Sequence, residues 1–299
     1  MKRKQVAHLL ERYRVTDGAK FRLKRHDPDD TGGGIVDRKE AEALLADGVT
    51  RLSALQELLY PHASWALLCI FQAMDAAGKD GTIKHVMSGV NPQGVEVTSF
   101  KVPGPEELAH DFLWRISRKL PERGRIGIFN RSHYEEVLVV RVHKELLKAQ
   151  RLPEDLDGRR IWEHRLADIG AFERYLTRQG TLVLKFFLNV SPAEQKKRFI
   201  ERLDDPGKNW KFSASDISER THWESYMHAY EEAIRATAAP HAPWFVVPAN
   251  NKWFARLVVV EAMVAALESL HLKPMEMQAP DRIRLEEARH RLLEEGTTA

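Results

Sequence analysis

A lysine that follows a glycine, Gly78-Lys79, could bind phosphate if the chain turns from a strand into a helix at this point. Residues 65–72 are apolar enough for a buried strand, residues 73–78 form a turn of small residues, and a helix is predicted to begin at Lys79. The amides at the start of such a helix, together with its dipole, bind anions. The stretch therefore predicts an anion site, here called the phosphate loop (residues 73–78), to which Lys79 adds a positive charge.

The loop departs from the usual pattern, G-x-x-x-x-G-K-[ST], at two positions. Ala73 stands at the first glycine position and Asp80 at the Ser/Thr position, while Thr82 lies two residues further on. A carboxylate, Asp75, lies within the turn and would repel phosphate unless a metal ion lay between them. Asp75 is therefore predicted to bind Mg²⁺, a hard cation that prefers oxygen ligands. The alternative is an ordinary strand–helix turn with an Asp cap and a surface lysine.

A second group of polar residues directly follows the apolar strand predicted at residues 125–129. In an open α/β sheet, ligands bind beyond the carboxyl ends of the strands, so these side chains are placed to meet the phosphate loop. Arg131 could clamp a phosphate, and Glu135 or Glu136 could bind the metal from the side opposite Asp75. The alternative is a helix N-terminus with acidic residues in its first turn. The group comprises Asn130, Arg131, Ser132, His133, Glu135 and Glu136.

A basic helix after the fourth predicted strand is a candidate lid over the site. Its sequence is AEQKKRFIERL, and a turn with further lysines follows it. In kinases with a phosphate loop, a mobile segment at this position in the chain brings cations to the transferred phosphoryl group. The alternative is a solvated basic face. The predicted contacts to a phosphate chain are Lys84, on the helix after the phosphate loop, and the lid residues Arg198, Arg202, Lys208 and Lys211.

Composition and charge exclude several classes of protein. The chain has 299 residues, enough for a full core, and a net charge of only +3 at pH 7, so it has no strong overall basic field. Its one cysteine, Cys69, lies within the first predicted strand and excludes an internal disulfide. The charged N-terminus does not read as a signal peptide, and no apolar run approaches the ~20 residues of a membrane span. We therefore expect a cytoplasmic protein without a membrane partner.

Five predicted strands alternate with helices, at residues 65–72, 95–100, 125–129, 181–190 and 244–247. This alternation predicts a parallel sheet covered by helices on both faces. The expected fold class is α/β: a three-layer sandwich of the phosphate-loop kinase type, with a five-stranded parallel sheet and a helical lid. The expected domains are an N-terminal extension that packs on the core (1–63), a phosphate-loop domain (64–273) with its lid at about 196–215, and a peripheral C-terminal tail (274–299).

Five motifs occur in one order between residues 74 and 254, and the resemblance that they carry covers about residues 13–275, nearly the whole chain. They are MDAAGKDGTIKHV, VNPQGVEVTSF, GIFNRSHYEEVLVVRVH, the lid's KNWKF, and PWFVVPANNKWF. Together they resemble the polyphosphate kinase family 2. Asn130 in the FNRSHYE motif resembles class III of that family, whose members phosphorylate both nucleoside mono- and diphosphates.

The resemblance implies transfer of the terminal phosphoryl group of inorganic polyphosphate to a nucleotide, AMP to ADP and ADP to ATP, in a reaction that is reversible in principle. It also implies Mg²⁺, with Mn²⁺ as a substitute, and a homo-oligomer. Glu136 stands where relatives carry Asp, so its longer side chain could shift the metal. The implied catalytic residues are Asp75, Lys79, Arg131 and Glu136, with Asp75 and Glu136 as metal ligands. The implied phosphate- and nucleotide-binding residues are Ala76, Ala77, Gly78, Lys79, Asp80, Gly81, Asn130, His133 and Glu135.

Other functions fit part of the same pattern. An ATP-dependent nucleotide kinase would share the fold but would not accept polyphosphate as donor. A non-catalytic phosphate-loop module could bind nucleic acid through the basic lid, but Asp75, Glu135 and Glu136 would repel a nucleic-acid backbone. His133 could instead be a phosphorylated nucleophile, as in an unrelated type of polyphosphate kinase, whereas a phosphate loop with Mg²⁺ favours direct in-line transfer.

Overall fold

The computed structural model describes residues 3–33, 37–156, 158, 160–207, 209–211, 214–275 and 279–295. The strands are β1 (Arg14–Val15), β2 (Ala66–Gln72), β3 (Val95–Ser99), β4 (Ile126–Asn130), β5 (Thr181–Asn189) and β6 (Trp244–Pro248). The α-helices are α1 (Arg3–Tyr13), α2 (Arg38–His62), α3 (Lys79–Val86), α4 (Pro105–Leu108), α5 (Trp114–Ser117), α6 (Val139–Val142), α7 (Ile161–Arg178), α8 (Pro192–Asp204), α9 (Ala214–Glu219), α10 (Trp223–Thr237), α11 (Lys252–Glu268) and α12 (Ala279–Glu294). A 3-10 helix at His133–Val137 carries part of the site.

The sheet has the strand order β1-β6-β5-β2-β4-β3, and the strands from β2 to β6 are parallel. β2 lies between β4 and β5 and is buried along its whole length. The chain continues from β2 to β3 and β4 on one side, and β5 and β6 lie on the other, so a crevice opens at the carboxyl end of β2. The predicted α/β fold with five parallel strands is confirmed.

The sequence prediction of five strands is one short, because it lacks β1. This strand pairs antiparallel with β6, with Arg14 opposite Phe245 and Val15 opposite Trp244. A strand of two residues is too short to show the alternation by which strands are recognised in a sequence. Part of the N-terminal segment therefore belongs to the sheet itself, and α1 packs on α11 beside it.

Helices cover the sheet in two groups. The first contains α2 and α3, which both pack on α11, and the second contains α7 and α10, which pack on each other. Both α11 and α7 contact β5. A strand that is buried throughout, such as β2, requires cover on both faces of the sheet. None of the helices in the described ranges is both long and apolar enough to cross a bilayer.

A cluster of buried polar side chains anchors the 3-10 helix His133–Val137 to the core. Lys185 Nζ, on β5, lies 2.5 Å from Glu173 Oε2 on α7 and donates to Thr237 O at 2.7 Å. Tyr134 Oη lies 2.7 Å from Glu173 Oε1. Tyr134 belongs to the 3-10 helix, so its hydrogen bond to Glu173 fixes that helix to α7. Removal of one charged partner would leave the other as an uncompensated buried charge.

Candidate active site

The phosphate loop joins the end of β2 to the start of α3, as predicted. Gly78 precedes α3 with a φ of 102°, a left-handed conformation that glycine adopts without strain. Ala76 also has a positive φ, of 59°, despite its β-carbon. The first amides of α3 have no acceptor within the helix, so they are available to a bound anion. The backbone therefore has the geometry of a phosphate nest.

Lys79 closes this loop. Its Nζ donates to the carbonyl of Ala73 at 2.8 Å. Burial lowers the pKa of Lys79, and the Asp75 carboxylate acts in the opposite direction. A phosphate in the nest would add negative charge next to Lys79, which would hold the side chain in its cationic form.

Arg131 links the phosphate loop to the segment after β4. Its backbone N–H donates to Phe71 O at 3.0 Å, and its φ is 63°. Its Nη2 lies 3.1 Å from Asp75 Oδ1, and its Nη1 lies 4.0 Å from Glu135 Oε2. The Arg131 side chain is 43% exposed and that of Asp75 is 30% exposed, so a ligand can reach both. The structure thus brings together Asp75, Lys79 and Arg131.

Asn130, the last residue of β4, meets the start of α3. Its Nδ2 donates to Asp80 Oδ1 at 2.8 Å. Asp80 lies in the first turn of α3, where the helix dipole stabilises a carboxylate. An amide at position 130 therefore satisfies this carboxylate without placing a second negative charge beside it.

These residues line an open cleft of about 830 Å³, here called the phosphate cleft. Its described wall contains six cationic and four carboxylate side chains, so a cationic surface forms locally in a nearly neutral chain. Sequence analysis missed Lys101, although it follows β3 and the carboxyl-edge rule that identified Asn130 applies to it. Trp210 belongs to the KNWKF motif but was not predicted as a site residue, and no sequence pattern indicated Asp216. The wall comprises residues 75–81, 99–102, Asn130, Arg131, Arg198, Glu201, Arg202, Trp210, Asp216 and Lys252.

The predicted lid cations differ in their surroundings. Arg202, on α8, lines the cleft, and its Nη1 lies 3.4 Å from Asp216 Oδ2. Arg198, one turn earlier, is only 6% exposed and donates to backbone carbonyls. Lys84 is exposed on α3 and does not belong to the described wall of the cleft. Two predicted contacts lie outside the described residues: Lys208 and the side chain of Lys211.

The carboxylates of the cleft suit a cation that needs few protein ligands. Across the described ranges, no group of three or more His, Cys, Asp or Glu side chains is arranged to hold a metal ion. Mg²⁺ commonly uses one or two carboxylates and takes its other ligands from water and substrate phosphates. The Asp75 carboxylate lines the cleft and is 30% exposed, so a cation in the cleft can reach it. The residues present therefore fit Mg²⁺.

Comparison with known proteins assigns the chain to a family. The model of the family Polyphosphate kinase 2 matches residues 35–274. The chain belongs to the polyphosphate kinase 2 family. It is 47% identical over 284 residues to the ADP-polyphosphate phosphotransferase of Rhodopseudomonas palustris, covering 95% of this chain and 98% of the relative.

Two further proteins show how far this likeness extends. The AMP/ADP-polyphosphate phosphotransferase of Meiothermus ruber is 46% identical over 278 residues, covering 93% of this chain and 100% of the relative. The crystal structure of polyphosphate kinase 2 from Arthrobacter aurescens TC1 matches with a TM-score of 0.83 at 43% identity. That match covers 91% of this chain and 95% of the other chain.

In this polyphosphate kinase 2 family member, Glu136 lies apart from the phosphate cleft, which corrects its prediction as a metal ligand beside Asp75. Successive residues of a 3-10 helix project about 120° apart, so neighbouring carboxylates face different directions. Glu135 is the one that faces Arg131. Burial raises the pKa of Glu135, and the charges of Arg131 and Lys79 oppose this effect.

Glu136 faces a second cavity, of about 310 Å³, here called the arginine cavity. The Glu136 Oε2 atom lies 3.2 Å from Arg165 Nη1 and accepts a 2.5 Å hydrogen bond from Gln150 Nε2. Its Oε1 lies 4.0 Å from Arg115 Nη2. The carboxylate is only 5% exposed, so it neutralises two buried guanidinium groups and is not available to a ligand in the cleft.

His133 also differs from its prediction as a nucleotide-binding residue. Its side chain is fully buried and packs on the rings of Tyr134 and Phe172. Its Nε2 lies 3.7 Å from Glu173 Oε1, and both ring nitrogens lack a hydrogen-bond partner among the described residues. A buried imidazole that no phosphate can reach is neither a nucleotide contact nor a phosphorylated nucleophile. The reason is the 3-10 helix, which turns His133 toward the core and Glu135 toward Arg131.

Proposed function

We propose that this chain transfers the terminal phosphoryl group of inorganic polyphosphate to nucleoside mono- and diphosphates, forming ADP from AMP and ATP from ADP. The observation that carries the proposal is the convergence of Asp75, Lys79 and Arg131 on one phosphate nest. The names of the relatives support polyphosphate as the donor, because the R. palustris and M. ruber proteins are both named polyphosphate phosphotransferases.

The chemistry requires positioning and charge stabilisation, and it needs no covalent intermediate on the enzyme. The bond between the terminal phosphorus and its bridging oxygen breaks as an oxygen of the acceptor's terminal phosphate bonds to that phosphorus. Polyphosphate becomes one phosphate shorter and the nucleotide one phosphate longer. The loop amides and Lys79 hold the transferred group, and Arg131 stabilises the charge that develops on it.

Asp75 is the residue that would hold Mg²⁺, with Mn²⁺ as a substitute. When bound, the ion supplies positive charge to the phosphate oxygens and lowers the repulsion between two polyanionic substrates. Arg131 keeps the Asp75 carboxylate turned toward the cleft through their 3.1 Å ion pair. Glu135 lies behind Arg131 and orients its guanidinium.

The proposal includes both acceptors on the basis of Asn130. The two relatives have nearly equal identity to this chain, yet one is named for ADP and the other for AMP and ADP. Asn130 replaces the Asp expected in members that carry out a single phosphorylation step. Because its amide satisfies Asp80 at 2.8 Å, this edge of the cleft carries one negative charge fewer than it would with Asp at position 130.

The test is nucleotide analysis after the purified protein is mixed with Mg²⁺, polyphosphate and either AMP or ADP, with no ATP added. The proposal predicts ATP from both acceptors, with ADP as the intermediate from AMP. ATP from ADP alone would retain the donor and remove AMP from the proposal. Turnover with ATP as donor but none with polyphosphate would contradict the proposal and indicate an ordinary nucleotide kinase.

A further inference from the structure

Arg198 uses its whole guanidinium on the protein itself. It lies on α8, is 6% exposed, and borders both the phosphate loop and the loop after β6. Its Nη1 is also 3.6 Å from the position that a β-carbon on Gly78 would take. The guanidinium donates to Glu194 Oε1 (2.8 Å) and to the carbonyls of Ala76 (3.2 Å), Ala77 (2.7 Å), Ala249 (2.6 Å) and Asn250 (2.9 Å).

A second side chain of α8 contacts the same loop. Gln195 Nε2, three residues before Arg198, donates to the carbonyl of Asp75 at 2.9 Å. Gln195 is 1% exposed, and its Oε1 accepts a 2.5 Å hydrogen bond from Arg220 Nη1. The carbonyls of three consecutive loop residues, from Asp75 to Ala77, are therefore bonded to one helix.

This arrangement meets a need that the loop sequence creates. An anion nest requires consecutive amides that face the ligand, which means that the carbonyls must face away from it. Ala76 adopts the left-handed conformation, which is unfavourable for a residue with a β-carbon. Without an opposing force, the loop would relax out of this conformation. The hydrogen bonds from α8 supply that force.

We propose that Arg198, supported by Gln195, is a positioning residue that holds the loop carbonyls away from the phosphate cleft and so keeps the amides turned toward it. This inference rests on the proposed function in one respect, that the loop binds phosphate. The positioning role replaces the polyphosphate contact predicted for Arg198, because the N–H groups of Arg198 are already bonded to Glu194 and four carbonyls. The planar fork of arginine suits this task, and the single ammonium of lysine does not.

The test compares Arg198→Lys with wild type, using short and long polyphosphate as donors. Lysine keeps the charge but loses the fork, so the loop shifts and kcat falls about 100-fold with every donor length. Adding Ala76→Gly to Arg198→Lys removes the unfavourable left-handed conformation of a residue with a β-carbon, and kcat should rise again by about tenfold. Lys196→Ala, a solvent-facing change on the same helix, serves as the control and stays within about twofold of wild type.

Either of two results would overturn the proposal. A loss in Arg198→Lys that appears in KM and grows with donor length would identify a direct polyphosphate contact. Absence of rescue by Ala76→Gly would show that the loop conformation is not what Arg198 maintains. If Arg198→Lys does not fold, Gln195→Met replaces it, with an expected loss of about tenfold and the same rescue test.

A measurement without turnover separates this inference from the proposed function. Tripolyphosphate should raise the melting temperature of wild type by mass action, and Arg198→Lys should lose most of that shift. If wild type binds tripolyphosphate but forms no ATP, the proposed function fails while the positioning role is still tested. An equal shift in wild type and Arg198→Lys would contradict the positioning role, whatever the enzyme's activity.

Discussion

Glu135 and Glu136 are neighbours in the chain, yet Glu135 lies beside Arg131 of the phosphate cleft and Glu136 lines the arginine cavity, and the two cavities differ in their electrostatics. In the phosphate cleft, cationic side chains outnumber carboxylates, and Arg131 beside Glu135 remains 43% exposed. In the arginine cavity, Glu136 is 5% exposed and lies between Arg165 and Arg115, which are 5% and 7% exposed. Charges that stay accessible can bind a ligand, whereas buried charges that neutralise one another mainly maintain the fold.

The backbone of the phosphate cleft is also strained. The phosphate cleft contains two non-glycine residues with positive φ, Ala76 and Arg131. Such strain persists only where the surrounding structure enforces it, and it concentrates at functional sites. Substitutions in the phosphate cleft should therefore change the reaction rate more than the free energy of unfolding. Substitutions in the arginine cavity should change the free energy of unfolding more than the reaction rate.

The largest effect is expected for Asp75→Asn. Loss of the carboxylate removes the predicted Mg²⁺ ligand and the partner of Arg131, and kcat should fall about a thousandfold. The side chain is 30% exposed, so the free energy of unfolding should change little. Steady-state kinetics and urea unfolding check both parts, with Glu57→Gln, an exposed change on α2, as control. Near-normal turnover would remove Asp75 from the site.

Glu136→Gln should show the opposite profile. It leaves the guanidinium groups of Arg165 and Arg115 without their shared carboxylate, so the free energy of unfolding should fall by about 3 kcal/mol. The kcat of the folded fraction should stay within about threefold of wild type. A variant that is fully stable but a hundredfold slower would return Glu136 to the catalytic site and break the comparison.

Asn130→Asp tests the edge of the phosphate cleft. It would place two carboxylates 2.8 Å apart, so the start of α3 would move away or acquire an extra cation. The ratio of kcat/KM for AMP to that for ADP should change about tenfold, equivalent to 1.4 kcal/mol. Parallel kinetics with the two acceptors measure this ratio. An unchanged ratio would show that position 130 does not select the acceptor.

The smallest effect is the pH dependence of stability caused by Glu135. Burial raises its pKa in the folded state, with Arg131 and Lys79 opposing, so the folded state binds its proton more tightly than the unfolded state. Wild type should therefore lose stability as the pH rises from the unfolded pKa of about 4.5 through the folded pKa. Glu135→Gln should be the more stable protein at pH 7 and lose that advantage at pH 4.

Unfolding at the two pH values tests this sign. An advantage of Glu135→Gln that is equal at pH 4 and pH 7 would contradict a raised pKa. The same variant should be slower in phosphoryl transfer, by about tenfold, because Arg131 loses the carboxylate that orients it. Stability gained and rate lost in one variant would support the functional character of the phosphate cleft.

Much of this architecture is predictable from the sequence because it depends on local patterns. The apolar run at β2 and the small-residue turn before Lys79 predict a strand, a loop and a helix, and these elements are present. The carboxyl-edge rule then places Arg131 near that loop, where it forms an ion pair with Asp75. These inferences need only the strand order of a doubly wound sheet.

The remaining features depend on tertiary contacts. Which of Glu135 and Glu136 faces Arg131 is set by the rotation of one 3-10 helix, and the sequence contains no signal for that rotation. The burial of His133 has the same cause. Arg198 reads as one more cation on a basic helix, and only the positions of the loop carbonyls reveal its hydrogen bonds.

The most direct test of the central claim is ATP formation from ADP and polyphosphate, without added ATP, in wild type and Lys79→Ala side by side. Lys79 closes the phosphate loop and supplies its charge, so wild type should form ATP and the variant should be slower by about a thousandfold or more. Equal rates in the two proteins would show that phosphoryl transfer does not take place at the phosphate loop.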